Sequence, residues 1–427
     1  MKLKLTTWIM IAMILGIVVG YVCNIAAPDA KAAKDIAGYF NVVTDVFLRL
    51  IKMIIAPLVF ATLVAGIAHM GDASAVGRIG LKAMAWFITA SLVSLALGLV
   101  MVNILQPGAN LGLPLPEAGA ATNLKTASLN IKDFITNVFP KSVFEAMANN
   151  NILQILVFSL FFGFAIAAFK DQRAKTLVGS IEELVHVMLK LTDFVMRFSP
   201  FGVFAAVASV ITTQGLGVLL TYGKFIGGFY LSLALLWLVL IAAGYVFLKG
   251  PVFTLLKLIR EPMMIAFSTA SSEAAYPKTM EQLEKFGVKN DITGFVLPLG
   301  YSFNLDGSMM YQAFAALFIA QAFGFDLTFA QQVTLLLVMM VTSKGIAGVP
   351  RASLVVVAAV LPTFGLPEAG LLLIMGIDQI LDMGRTATNV IGNSLATAVV
   401  AKWEGELREP RGVDQEDMLS PEAVAAA

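Results

Sequence analysis

Five polar residues, Asp378, Asp382, Arg385, Asn389 and Asn393, run through residues 370–401, a stretch otherwise apolar enough to span a membrane. At about 100° of helix per residue all five fall within an arc of about 80°, forming one polar stripe on one face. A charge at the bilayer centre costs about 2.5–3.5 kcal/mol on insertion scales, so that face turns toward protein or a water-filled cavity. The stripe marks a substrate or ion pathway; a charge ladder that only orients neighbouring helices is the plainer alternative.

The rest of the chain supplies the membrane. Of its 427 residues, 58% are hydrophobic and 13% charged, about half the charged fraction of soluble domains. A net charge of +1, from 29 basic and 28 acidic residues, leaves no case for a nucleic-acid partner. Cys23 is the single cysteine and allows no intrachain disulfide. His69 and His186 sit in no metal-ligand pattern, and no nucleophile–base constellation appears, so an enzyme is not expected.

Runs that meet the requirement of about 20 apolar residues are 8–26, 47–70, 83–105, 152–169 (slightly short), 177–211 and 225–248. The first is longer than a secretory signal core of about 7–15 residues and is expected to be a span. Residues 107–151 are expected to form an extramembrane connection. With the N-terminus inside, inside loops hold Lys2, Lys4, Arg78, Lys82, Lys170, Arg173, Lys175, Lys249, Lys257 and Arg260, against Lys31, Lys34, Lys125, Lys132 and Lys141 outside. That excess agrees with a cytoplasmic N-terminus.

After residue 252 the pattern changes. Residues 253–286 and 331–362 are apolar at both ends and interrupted midway, each predicting two half-helices that meet at a tip. Thr269-Ala-Ser-Ser-Glu-Ala-Ala-Tyr-Pro277 and Thr342-Ser-Lys-Gly-Ile-Ala-Gly-Val-Pro350 both run from Thr to Pro and share an Ala at Ala274 and Ala347. Each precedes a long segment with polar residues at its middle, 292–322 and 367–402. Paired interrupted segments point to a transporter's binding site.

Half-helix N-termini favour anions, and Ser271, Ser272, Gly345, Gly348 and Val349 let a ligand approach the backbone. Arg385 suits a carboxylate, and Asp382 on the same face suits an ammonium. A ligand with both groups is an acidic amino acid; an Asp382–Arg385 pair satisfying itself is the alternative. In Gly300-Tyr-Ser-Phe-Asn-Leu-Asp-Gly-Ser308, Asn304, Asp306 and Gly307 would break the helix, and freed carbonyls with side-chain oxygens would hold a cation or exchange a proton.

Together these pieces resemble the dicarboxylate/amino-acid:cation symporter family, which includes the excitatory glutamate transporters and the archaeal aspartate transporters. The resemblance runs from Leu48-Arg-Leu-Ile-Lys-Met-Ile-Ile-Ala-Pro-Leu-Val-Phe60 to Lys402-Trp-Glu404. Its most specific motifs are Ser271-Ser-Glu-Ala-Ala-Tyr-Pro277, Asn304-Leu-Asp-Gly-Ser308, Gly345-Ile-Ala-Gly-Val-Pro350 and Asp382-Met-Gly-Arg-Thr-Ala-Thr-Asn389. It implies an all-α polytopic membrane protein: eight transmembrane helices, two re-entrant hairpins, inverted repeats and an elevator-type fold in a homotrimer. Residues 1–252 would be scaffold helices with parts of the transport domain, 253–404 the transport core, and 405–427 a disordered cytoplasmic tail. The setting would be a bacterial inner membrane with both termini cytoplasmic.

By position, the resemblance gives Arg385 the substrate's side-chain carboxylate and Asp382 its amino group. Thr386, Asn389, Ser308, Ser271, Ser272 and the Val349 backbone would be further contacts. The second hairpin, with Gly345, Gly348, Pro350 and Arg351, would form the gate, faced by Glu273 of the first. Four-carbon dicarboxylate carriers of this family lack an Asp at the position of Asp382, and neutral-amino-acid carriers generally lack the Arg, so glutamate or aspartate is favoured.

Coupling candidates are Gly300, Ser302, Asn304, Asp306, Ser343, Asp378, Asn389 and Asn393. Sodium-coupled members carry an Asp at the position of Asn393, and a Tyr and a Thr at those of Phe87 and Ala90, while Ser91 is kept. The bacterial proton/glutamate symporters look closest, sharing Ser343-Lys-Gly345 and Gly392-Asn393, so protons are favoured over sodium held at Gly300, Asn304, Asn389 and Asn393. No organic cofactor is implied. Archaeal members have an Arg at the position of Ala270 and animal members one at that of Met383; Arg351 is expected to supply the missing cation near Asp382 or Glu273. An ion channel is the alternative from another functional class.

Overall fold

A computed structural model describes residues 5–70, 73–109, 136, 138–169, 174–216, 222–343, 352–375 and 377–408. Regular structure among them is helical, apart from one isolated antiparallel bridge between Val288 and Leu407. The helices are α1 (Leu5–Ala26), α2 (Ala30–Met70), α3 (Ala73–Leu105), α4 (Val143–Ala148), α5 (Ile152–Ala167), α6 (Lys175–Met196), α7 (Ser199–Gln214) and α8 (Gly223–Leu248). Then follow α9 (Pro251–Leu258), α10 (Arg260–Thr269), α11 (Ser272–Phe286), α12 (Asn290–Phe303), α13 (Asp306–Ala322), α14 (Phe329–Ser343), α15 (Ala352–Val360), α16 (Leu371–Met375) and α17 (Asp378–Glu404).

Among the described residues α1, α2, α3 and α8 are long and apolar enough to cross a membrane, and α6 with α7 make a fifth crossing if that bent pair is one span. α1 shows the reason plainly: it turns Trp8, Ile14, Val18, Val22 and Ile25 outward, a surface that hydrocarbon would cover. α2 and α3 begin well before the apolar runs at 47 and 83. Helix formation needs only good helix formers, here Ala30-Lys-Ala-Ala-Lys34, whereas apolarity is needed only inside the bilayer. Lys31, Lys34, Arg78 and Lys82 therefore sit on helices, where loops were expected.

The run 177–211 is two helices bent by 51°, not one continuous helix. Pro200 explains the break, since it fits the first turn of α7 but cannot continue α6. The expected hairpin 253–286 is α9, α10 and α11, with its tip at Ala270 and Ser271. Ala270 adopts the left-handed conformation (φ +49°) and ends α10. Pro277 lies inside α11, not at the tip. α14 and α15 are the two arms of 331–362, and their junction, residues 344–351, lies outside the described residues.

The segment 292–322 divides as its Asn-x-Asp-Gly suggested, with Asn304 and Leu305 leaving helical geometry between α12 and α13. All of 306–320 in α13 and all of 384–401 in α17 are buried. A helix covered on every side is the centre of a bundle. α3, α8, α10, α11 and α12 pack around this pair, while α1, α2, α5, α6 and α7 pack mainly on one another. Ion pairs from Arg78 (2.8 Å) and Lys82 (2.6 Å) to Glu404 tie the last turn of α17 to α3. The tail expected from residue 405 is held as far as 408: Leu407 bridges Val288, and the Arg408 amide donates to the Gly287 carbonyl at 2.9 Å.

Candidate substrate and ion site

The stripe emerges on α17 as drawn from its spacing. Asp378 (1% exposed), Arg385 (4%), Asn389 (4%) and Asn393 (1%) are buried, and the Asp382 side chain keeps 19% of its surface. Arg385 lies between two carboxylates. Its Nε donates to Asp382 Oδ1 at 2.6 Å, and its Nη1 is 3.6 Å from Asp378 Oδ1. The guanidinium carbon is 4.5 Å from the centroid of the Tyr311 ring, and the Tyr311 hydroxyl donates to Asp378 Oδ1 at 2.7 Å. Thr386 donates its hydroxyl to the same Asp382 oxygen at 2.9 Å. The internal Asp382–Arg385 pair foreseen as an alternative is thus formed, yet Arg385 Nη1 makes no hydrogen bond and Asp382 is partly open. Those are the atoms a ligand with an ammonium and a carboxylate would engage.

The broken segment meets the other end of the stripe. Asn389 Oδ1 accepts the Gly307 amide at 2.9 Å and so caps the first turn of α13, and its Nδ2 is 3.4 Å from Ser308 Oγ. A Cβ at Gly307 would collide with the Arg385 carbonyl, and a Cβ at Gly392 would fall on the Asp306 carboxylate. Gly307 lets the backbones of α13 and α17 touch, and Gly392 leaves room on α17 for the Asp306 side chain. Asp306 also accepts from Ser94 Oγ at 3.5 Å. Asn304 Nδ2 donates to Asn393 Oδ1 at 3.2 Å, leaving Asn304 Oδ1 and Asn393 Nδ2 buried without a hydrogen bond. Gly300 packs against Asn393, with the Phe87 ring beside it.

Gly300, Asn304, Asp306, Asn389 and Asn393 therefore come together. Ser302 is buried in the last turn of α12, while Ser343, at the end of α14, donates its hydroxyl to the Met340 carbonyl. Phe87 and Ala90 are buried and contribute no side-chain oxygen to this wall, and Ser91 keeps a buried hydroxyl without a hydrogen bond. Among the described residues no group of three or more His, Cys, Asp or Glu is placed to hold a metal ion.

At the first hairpin tip Ser271 caps α11 by accepting the Ala274 amide at 3.2 Å, and the Ser272 carbonyl accepts the Tyr301 hydroxyl at 3.0 Å. Glu273 is half-buried in the first turn of α11. Gly345, Gly348, Val349, Pro350 and Arg351 lie outside the described residues. Tyr311, Ser94 and Tyr301 belong to the site and were not foreseen. A signal existed for two of them: Tyr311 follows Ser308 by three residues, and Ser94 follows Ser91 by three, each sharing a helix face.

Comparison with known proteins agrees over nearly the full length. The profile described as "Sodium:dicarboxylate symporter family" matches residues 5–403. The chain is 40% identical over 417 residues to the "Proton/sodium-glutamate symport protein" of Bacillus caldotenax, covering 96% of this chain and 97% of the relative. It is 39% identical to the "Proton/glutamate-aspartate symporter" of Escherichia coli (strain K12), over 94% of this chain and 93% of the relative. It is 41% identical to the "C4-dicarboxylate transport protein 2" of Polaromonas naphthalenivorans (strain CJ2), over 89% of this chain and 87% of the relative.

Proposed function

The chain belongs to the sodium:dicarboxylate symporter family, and from that premise we propose that it imports glutamate or aspartate together with protons. The carrying observation is the placement of Arg385 between Asp382 and Asp378 in a buried, aromatic-backed cradle. Asp382 and Asp378 against Arg385 sum to a charge of −1, and an acidic amino acid adds a second negative charge. With both carboxylates ionised, a loaded site of about −2 is costly in a low-dielectric interior, and co-bound cations offset that cost. Asp382 takes the ammonium and Arg385 the side-chain carboxylate, with Ser271, Ser272, Ser308, Thr386, Asn389 and Val349 completing the contacts.

Protons are favoured because Asn393, Phe87 and Ala90 weaken the oxygen set that a small hard cation needs; sodium is the alternative. Uptake of labelled glutamate into proteoliposomes, with pH and sodium gradients imposed separately, tests this. Uptake driven by sodium at uniform pH and indifferent to a pH gradient would overturn it. A four-carbon dicarboxylate is the second reading, favoured by the names of relatives such as that from Polaromonas. The eight-span count, re-entrant hairpins, homotrimer, elevator motion, bacterial inner membrane and cytoplasmic termini belong to the same proposal, supported by family membership.

A further inference from the structure

The cradle is braced from behind by α8. Its adjacent residues Phe229 and Tyr230 touch different parts of it. Phe229 packs edge-to-face on Tyr311 (6.2 Å between centroids), the ring beneath Arg385. Tyr230 reaches α17, where its hydroxyl donates to the Ile380 carbonyl at 2.6 Å. Two turns along α8, Trp237 Nε1 donates to Thr388 Oγ1 at 2.7 Å, and Thr388 in turn donates to the Gly384 carbonyl at 2.9 Å.

Gly384 lies between Asp382 and Arg385 in sequence and on a flank of α17 about 140° round the helix from the centre of the stripe. A Cβ there would stand 2.9 Å from Tyr230 Cε1, Tyr230 Cζ and Leu233 Cδ1. Only the missing side chain lets α8 approach this closely. With a helix radius of about 5–6 Å including side chains, a rotation of about 10° moves a side-chain tip by about 1 Å. That is enough to take Asp382 and Arg385 out of productive geometry.

We propose that Tyr230 and Gly384 are positioning residues that fix the rotation of α17, and thereby aim Asp382 and Arg385 at the substrate. This rests on the assignment of α17 as the substrate cradle. Initial rates of glutamate uptake by the full-length protein in proteoliposomes test it, alongside thermal unfolding of the purified protein.

Tyr230→Phe keeps the ring and loses only the bond to Ile380; it is expected to raise KM about threefold with the maximal rate held within about twofold, equivalent to about 0.65 kcal/mol. Gly384→Ala is expected to raise KM about tenfold or more, and Tyr230→Leu combined with Gly384→Ala to bring it back within about threefold of wild type. A packing role alone would lower the unfolding temperature and the maximal rate without moving KM. Wild-type KM in both single variants, with uptake abolished in Asp382→Ala and Arg385→Ala controls, overturns the proposal. Uptake intact in those two controls instead overturns the cradle assignment beneath it. Should Gly384→Ala fail to fold, the KM of Tyr230→Phe decides alone.

Discussion

At the start of α17, Asp378, Asp382 and Arg385 are charged and lie within 3.6 Å of a partner in the same trio. Further along the same face, Asn389 and Asn393 are neutral and meet the broken backbone between α12 and α13. The charged half is already compensated, so a zwitterionic ligand can exchange with internal partners without exposing a bare charge. The neutral half offers amide dipoles, two of whose atoms make no hydrogen bond, around the single carboxylate of Asp306. On the reading proposed above, one half recognises the charged substrate and the other hosts the coupling ion.

The sharpest way to break that division is to remove the shared cation. Arg385→Ala is expected to lower glutamate uptake more than about 100-fold and to destabilise the protein by about 3–5 kcal/mol, because the buried Asp378 and the partly open Asp382 lose their shared cation; uptake and thermal unfolding read both effects. Next, Asp382→Ala is expected to cut amino-acid uptake at least about tenfold while sparing succinate, which has no ammonium. Parallel uptake of the two substrates checks it, and equal loss of both would place Asp382 outside substrate discrimination.

Asn393→Asp sharpens the other half. A carboxylate beside Asn304 raises the charge count around the cavity, so uptake that is indifferent to sodium in the native protein is expected to gain a saturable dependence on sodium. A sodium titration at fixed pH measures it; no change in sodium dependence would mean that residue 393 does not set ion choice. Gly392→Ala drives a methyl onto Asp306, and overpacking of that kind costs about 1–3 kcal/mol in thermal unfolding. The smallest effect is expected from Tyr276→Phe. Its hydroxyl is buried without a hydrogen bond, so removing it should be neutral or stabilising by up to about 1 kcal/mol.

Legibility from sequence varied with the range of the interaction. The stripe was readable because a 3.6-residue period and the hydrophobic threshold are local properties, and the break at Asn304 was readable because Asn-x-Asp-Gly opposes helix wherever it occurs. The starts of α2 and α3 were not, since apolarity records where lipid begins and not where a helix does. The bend at Pro200 was available in the sequence but hidden by the continuous apolarity of 177–211. Tyr311, Ser94 and Tyr301 were hidden for another reason: each is an ordinary residue until a distant segment brings it a partner.

By itself the sequence determined that this chain lives in a membrane, that one helix carries charge where lipid forbids it, and that Asp382 and Arg385 share that helix face. These follow from transfer energies and helix geometry, which act over a few residues. Only the tertiary structure decided that Arg385 lies over Tyr311, that Asn389 caps α13, that Gly392 makes room for Asp306, and that Tyr230 bears on Gly384. Those contacts join residues between 74 and 154 positions apart, and nothing short of close packing brings them within a few ångströms.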